Sequence, residues 1–403
     1  MLGTAAVVGG SCSPGANSAA TAPPRTDDPE PGKGGAPGTG GRTGAGQGGN
    51  AGSSSSEAGT GGSARMPNDA SQVDPPVVKT DAATGEEPKP DASAPADAMV
   101  TGDGGGDRGS DAAPAASITV LAGGDLTASW GEQAKVANLI GTLMKDKPVA
   151  AVLTLGDYAY DDNEMNSSTR EFNLYYKPSW GKPEILAITH PALGNHEYDV
   201  PNAKDYFDFF NGPGKDMGPA GPRGKGYYSF DLGAWHFIAL NTNDACGKVA
   251  CDASSAQIAW LKADLEANKA KCTVAYMHHP RFNEGLVHKS EGGFVKPIWD
   301  TLYDGGVDVV LTGHEHSYQQ FKPAEKNGKL DLEKGMRLFI QGAGGADIFS
   351  EGFDKSQAAI HDYNQNKPDG FGVLELTLNA DTYSWRFVSL NPTVMASGQD
   401  KCH

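Results

Sequence analysis

The sequence has no aromatic residue before about position 117, although the 403 residues of the chain include 6 Trp, 13 Tyr and 14 Phe. Residues 13–116 consist largely of Gly, Ser, Ala, Pro and Asp. A segment of this composition cannot bury enough apolar surface to offset the conformational entropy that folding removes. We therefore predict a disordered linker over residues 13–116 and one folded domain over residues 117–403.

Basic residues are also scarce, because 33 Lys and Arg stand against 50 Asp and Glu and give a formal net charge of −17. This balance argues against electrostatic binding to duplex nucleic acid or to an anionic membrane. It does not argue against a phosphate substrate, since bound cations reverse the local charge of an acidic pocket.

No apolar run is long enough to span a bilayer. Residues 1–12 begin with a short apolar stretch and end at Cys12, which suits a truncated signal or lipoprotein segment, although no positively charged start precedes it. An ordinary cytosolic start is the alternative. We expect a secreted or cell-envelope protein, with Cys12 as a candidate membrane tether.

Four further cysteines remain when Cys12 is set aside, and an even number suits an exported protein. Cys246 and Cys251 bracket a short loop, and Cys402 lies near the C-terminus, where a bond to Cys272 would fix the chain end. Two interpretations stay open at this point: two disulfides paired in this way, or four reduced thiols.

The apolar periodicity predicts a βαβ unit at the start of the domain, with a strand at residues 117–122, a helix at 133–144 and a strand at 149–155. Such a unit implies parallel strands. Further strands are predicted at residues 185–189, 235–240, 273–277, 307–311, 336–340, 372–378 and 383–388. Helices are predicted at residues 255–270 and 295–303, and residues 227–230 are a candidate hairpin partner for the strand at 235–240.

Side chains that can bind metals follow the ends of five predicted strands. The five blocks are Gly124-Asp125, Gly156-Asp157 with Tyr160, Gly194-Asn195-His196-Glu197, His278-His279-Pro280 and Gly313-His314-Glu315-His316. Loops at the carboxyl ends of strands share one crevice in an open α/β sheet, so we expect the blocks to converge. A carboxylate such as Asp157 can offer one oxygen to each of two cations about 3.5–4 Å apart, which together can hold a phosphoryl group.

With these five blocks in this order, the chain resembles the calcineurin-like metallophosphoesterases, and within them the purple acid phosphatases, over about residues 117–390. The resemblance implies a four-layer α/β/β/α sandwich with two facing mixed β-sheets. It implies two metal ions, Fe(III) and a divalent Zn, Fe or Mn. The implied ligands are Asp125, Asp157, Tyr160 and His316 for one metal, and Asp157, Asn195, His278 and His314 for the other.

The resemblance also implies a reaction, the hydrolysis of small phosphate monoesters by direct attack of a metal-bound hydroxide on phosphorus. His196 would contact the substrate phosphate or the leaving oxygen, and His288 is a candidate general acid. One departure from the family pattern is that Asp125-Leu126-Thr127 lacks the histidine of many metallophosphoesterases. Tyr160 compensates for it, which favours the purple branch.

Two rival functions stay open. A phosphodiesterase or nucleotide-cleaving enzyme would use the same metal blocks, because selectivity depends on loops such as residues 200–226. A surface binding module would keep the fold without turnover. The aromatic residues 206–210 either wall the pocket or form a small hydrophobic cluster under a loop, and His190 is expected to be structural.

Overall fold

The computed structural model describes residues 117–160, 167–243, 245–289 and 291–403. The predicted signal segment, the linker and Cys12 lie outside these ranges. The described strands are β1 Ile118–Gly123, β2 Ala151–Leu155, β3 Thr189–Ala192, β4 Tyr228–Leu232, β5 Trp235–Ala239, β6 Cys272–Tyr276, β7 Val309–Thr312, β8 Tyr318–Phe321, β9 Arg337–Gln341, β10 His361–Gln365, β11 Gly372–Leu378, β12 Thr382–Ser389 and β13 Met395–Lys401. The helices are α1 Gln133–Asp146, α2 Thr169–Glu171, α3 Pro183–Leu186, α4 Lys204–Phe210, α5 Ala256–Ala267 and α6 Lys296–Asp304.

The strands form two mixed sheets. The first has the order β13-β12-β11-β1-β2-β3, and the second has the order β10-β8-β9-β7-β6-β5-β4. Parallel pairing joins β1, β2 and β3 in the first sheet and β5, β6, β7 and β9 in the second. The outer pairs are antiparallel, including the predicted β4–β5 hairpin. Both groups of parallel strands therefore direct their carboxyl ends into loops that can carry functional residues.

The predicted βαβ unit is confirmed. Helix α1 buries Val136, Ile140 and Leu143, whose spacing of three to four residues places them on one face. Strands β1 and β2 that flank it pair in parallel, with Val120 opposite Ala151. The buried helix face covers the first sheet and fixes the direction of both strands.

Alternation along the strands of the second sheet shows that it has two apolar faces. Phe237 and Ala239 pack into the large core shared with the first sheet, whereas Ile238 between them packs with residues of α5 and α6. Successive strand side chains point to opposite faces, so this pattern requires a sheet on one side and helices on the other. The expected α/β sandwich with two facing mixed sheets is confirmed.

The prediction of a strand at residues 185–189 is wrong. Residues Pro183–Leu186 form α3, and β3 starts only at Thr189. Pro183 occupies the first turn of the helix, where its missing N–H costs nothing and its fixed φ suits the helix. A short apolar run cannot by itself distinguish a strand from a buried helical turn.

The aromatic residues 206–210 do not wall the cavity of the site. They lie on α4, and Tyr206 and Phe207 are fully buried in the large core, so the hydrophobic-cluster interpretation is the correct one. His190 is structural as expected, because its ring stacks on Phe230 with 3.8 Å between the ring centroids. Within the described ranges, no helix is long and apolar enough to cross a membrane.

Both disulfides proposed from the sequence are present, which excludes four reduced thiols. Cys246 is bonded to Cys251, and Cys272 is bonded to Cys402. The second bond is the more consequential one, because Cys272 begins β6 of the second sheet and Cys402 follows β13 of the first. It links the two sheets covalently at a sequence separation of 130 residues.

We expect the two disulfides to differ in their effect on stability. In the chain-entropy model the long loop closed by Cys272 and Cys402 contributes about 5 kcal/mol, and the short loop closed by Cys246 and Cys251 about 2 kcal/mol. Denaturant unfolding of the double-alanine variant of each pair measures this difference. Equal losses for both pairs would contradict the expectation.

Candidate metal centre

The predicted ligands at the ends of β1, β2 and β7 share an unusual backbone conformation. Asp125, Asp157 and His314 have φ angles of 57°, 53° and 72°, all in the left-handed region. Residues other than glycine adopt this region at a cost, and Asp, Asn and His tolerate it best. Such conformations cluster at functional sites, where the surrounding structure compensates for the strain.

Gly194, after β3, has to be glycine because the chain approaches Asp157 so closely. A Cβ atom at this position would lie 2.1 Å from Oδ1 of Asp157 and 2.6 Å from its backbone nitrogen. No side chain fits at these distances. Because Gly194 has no side chain, the block that contains it can pack directly against the block that contains Asp157.

One group of donor atoms surrounds Asp125. Its Oδ1 lies 3.1 Å from Nε2 of His316 and 3.1 Å from the hydroxyl of Tyr160. The Tyr160 hydroxyl lies 3.3 Å from the same His316 nitrogen. The backbone N–H of His314 donates to the other oxygen of Asp125 at 2.8 Å. A carboxylate, a phenol and an imidazole thus converge on one point.

A second group of donor atoms surrounds Asp157. Asp157, His278 and His314 are all buried, and each offers a ligand atom within 4.8 Å of the other two. Oδ2 of Asp157 lies 3.1 Å from Nε2 of His278 and also accepts a hydrogen bond of 2.8 Å from the Tyr160 hydroxyl. Because Tyr160 belongs to the first group, Asp157 joins the two.

Asn195 supplies an unsatisfied acceptor beside the second group. Its Oδ1 is buried and has no hydrogen-bond partner among the described residues. A buried carbonyl oxygen without a partner costs free energy that a cation would recover. Carboxylate, amide, phenol and imidazole donors together suit iron, zinc or manganese. The residues present therefore fit the pair of metal ions that the sequence implies.

The ionisable side chains of the site shift one another's pKa values. Burial raises the pKa of Asp157, but the positive charges of His278 and then His196 outweigh burial and hold the pKa well below its usual value. Burial lowers the pKa of His278, whereas Asp157 raises it to about 9. Burial and then the charges of Asp157 and Asp125 raise the pKa of Tyr160. A bound cation would oppose the last effect and favour the phenolate.

The two histidines predicted to face the substrate lie at the open side of the same site. His196 donates its backbone N–H to Oδ1 of Asp157 at 3.0 Å, and its Nδ1 lies 2.9 Å from Asp199. The ring of His288 lies 4.0 Å from that of His314, measured between centroids. Both rings line one cavity together with five predicted ligands, Asp157, Tyr160, Asn195, His314 and His316. All nine residues selected from the sequence therefore come together.

Two buried glutamates near the site were not assigned a role from the sequence. Glu197 accepts hydrogen bonds from the backbone N–H groups of Asp157, Tyr158 and Gly194, at 3.0, 2.9 and 2.7 Å. Glu315 accepts hydrogen bonds from the Asn283 amide at 2.8 Å and from the His288 N–H at 3.0 Å. Both glutamates lie inside the metal-binding sequence blocks, and this position is the sequence feature that marks them as candidates.

Comparison with known proteins agrees with this geometry. The family model "Calcineurin-like phosphoesterase" matches residues 118–318. The chain belongs to this family. Purple acid phosphatase 21 of Arabidopsis thaliana is 29% identical over 193 residues, 45% of this chain and 43% of the relative. Purple acid phosphatase 18 of the same plant is 34% identical over 191 residues, 45% of this chain and 40% of the relative.

A solved structure shows the same fold. The purple acid phosphatase PPD1 from seeds of yellow lupin (Lupinus luteus) superimposes with a TM-score of 0.55 at 15% identity, over 71% of this chain and 54% of that chain. The calcineurin-like phosphoesterase described here spans less than half the length of the two Arabidopsis relatives.

We expect Glu315→Ala to loosen the loop that carries His288. The variant leaves the buried Asn283 amide and the His288 N–H without their acceptor, which costs about 1–3 kcal/mol. Hydrogen exchange should therefore become faster in residues 283–289, in proportion to the lost local stability. Glu333→Ala, at an exposed glutamate, is the matched control. Unchanged exchange in this loop would show that Glu315 does not hold it.

Proposed function

We propose that this protein is a dinuclear metal-dependent phosphomonoester hydrolase of the purple acid phosphatase type. The observation that carries the proposal is the position of Asp157 between two groups of donor atoms. In this proposal Asp125, Tyr160 and His316 bind one ion, Asn195, His278 and His314 bind the other, and Asp157 bridges both. We propose Fe(III) for the tyrosine side and Zn, Fe or Mn for the other.

Bound cations would polarise the phosphoryl oxygens and lower the pKa of water in the site. The remaining steps belong to the side chains of this chain. His196 donates a hydrogen bond to a phosphoryl oxygen. Asp199 holds its Nδ1, which leaves Nε2 directed into the site, 4.0 Å from Asp157. Burial lowers the pKa of His196, whereas Asp157 and Asp199 raise it to about 9.

His288 is proposed as the general acid that protonates the leaving oxygen. It lies beside His314, and Glu315 fixes its backbone N–H. A phosphate monoester bound between His196 and His288 would meet one donor at the transferred phosphoryl group and the other at the leaving group. The two histidines thus divide the work of binding and proton transfer.

The two disulfides bear on localisation. Structural disulfides form and persist in oxidising compartments, so they favour a secreted or cell-envelope protein. We propose this localisation for the protein. The tether through Cys12 remains a separate proposal, because Cys12 lies outside the described residues.

Metal analysis and a visible absorption spectrum of the full chain test the proposal, with Tyr160→Phe as the diagnostic variant. We expect about two metal ions per chain, as in other dinuclear sites, and a visible band from the tyrosinate bound to ferric iron. The band should disappear in Tyr160→Phe. It should persist in Tyr158→Phe, because the Tyr158 hydroxyl contacts Thr154 and the Ala192 carbonyl instead of the donor groups.

The other outcomes distinguish the rival functions. Hydrolysis of bis(4-nitrophenyl) phosphate that exceeds hydrolysis of 4-nitrophenyl phosphate would favour the phosphodiesterase. Stoichiometric metal without any hydrolysis, or no stoichiometric metal after reconstitution, would contradict the enzyme and favour the surface binding module.

A further inference from the structure

The cavity over the proposed metal centre has an apolar rim made of Trp130, Val287 and Phe349. These side chains line the cavity together with the histidines of the site, and its volume is about 210 Å³. Trp130 and Val287 are 46% and 40% exposed. Large apolar side chains that stay exposed next to a functional site are a common mark of ligand contact.

The turn that carries Trp130 is held firmly in place. The N–H of Gly131 donates to the Ala128 carbonyl at 3.1 Å, and the N–H of Glu132 donates to the Gly345 carbonyl at 2.6 Å. A Cβ at position 131 would lie 2.3 Å from the Gly345 oxygen, so the two segments are in close contact. The exposed tryptophan therefore sits on a rigid support, and binding a ligand would not require ordering of this turn.

Phe349 provides a flat aromatic surface next to the proposed metal ligands. Its ring stacks on His316 with 4.1 Å between centroids and an angle of 3° between the planes. The same ring lies 5.5 Å from that of His288. An apolar group attached to a phosphate in the site would therefore extend out of the site between aromatic and aliphatic side chains.

The charge of the rim does not suit a polyanion. Among the residues that the structure describes, no lysine or arginine lines the cavity, whereas the exposed Asp347 does. Lys289, which follows His288, is engaged with Asp354 at 2.5 Å. Further phosphate groups of a ligand would meet the acidic side chain of Asp347 and no lysine or arginine from the wall, which costs binding energy.

We infer that the site selects phosphate monoesters with a planar apolar, aryl-type ester group over polyphosphorylated or other polyanionic esters, with Trp130 as a specificity-determining residue. This inference rests on the proposed phosphoesterase function. Metal ions, when bound, would hold the phosphoryl group together with His196, and the rim contacts the ester group. Stacking and burial of one aromatic ring supply the preference. The cavity is smaller than the roughly 300–1,000 Å³ of sites for drug-sized ligands, which favours a compact ester group.

Binding of two non-hydrolysable ligands to the metal-loaded full chain tests the inference without turnover. Calorimetry should show phenylphosphonate binding about tenfold more tightly than methylphosphonate, the ratio expected for one stacked and partly buried ring. Trp130→Ala should reduce this ratio to near one, and Trp130→Phe should keep most of it. Leu332→Ala is the matched control, since Leu332 is 73% exposed and lines no part of the cavity.

Val287→Asp is the second variant, because Val287 lies on an exposed stretch where a substitution leaves the core intact. It should also reduce the ratio between the two phosphonates. Equal binding of the two ligands by the unaltered protein, or a ratio that neither variant changes, would overturn the inference.

Turnover then separates this inference from the proposed function. The ratio of kcat/KM for phenyl phosphate to that for ATP should fall in Trp130→Ala by about the same tenfold factor. If phenylphosphonate is preferred through Trp130 but no ester is hydrolysed, the proposed hydrolase fails and the ligand preference stands. If esters are hydrolysed but the phosphonates bind equally, the hydrolase stands and the preference fails.

Discussion

The carboxylate of Asp157 is the constraint on which the rest of the site depends. One of its oxygens lies between the Tyr160 hydroxyl and His278, and the other accepts the backbone N–H of His196. A buried charge placed in this way requires partners on every side. Glu197 holds the backbone of Asp157, and the missing side chain of Gly194 makes room for its carboxylate.

The two facing sheets are needed because neither contains a complete donor group. Asp125 and Tyr160 come from the ends of β1 and β2 in the first sheet, whereas His316 follows β7 in the second. The other group likewise combines Asp157 and Asn195 with His278 and His314. The Cys272–Cys402 bond links the same two sheets. The site therefore stays intact only while the two sheets of the sandwich stay packed together.

Most strands and all the candidate ligands could be predicted from the sequence, because apolar runs that end in Gly-Asp or Gly-His mark strand ends. Other features depend on contacts that no local pattern encodes. Strand β13 reads as a polar segment, since it lies at a sheet edge and, among the described strands, pairs only with β12. Glu315 meets the loop of His288 across 27 residues of chain, and Trp130 joins the cavity only through the fold.

Anomalous diffraction from crystals of the metal-loaded protein would show whether Asp157 bridges two metal ions, as proposed. Data at the absorption edges of iron, zinc and manganese should show two peaks about 3.5–4 Å apart. One should lie among Asp125, Tyr160 and His316, the other among Asn195, His278 and His314, with Asp157 contacting both. A single peak, or two peaks that share no ligand, would show that Asp157 does not bridge a pair of metal ions.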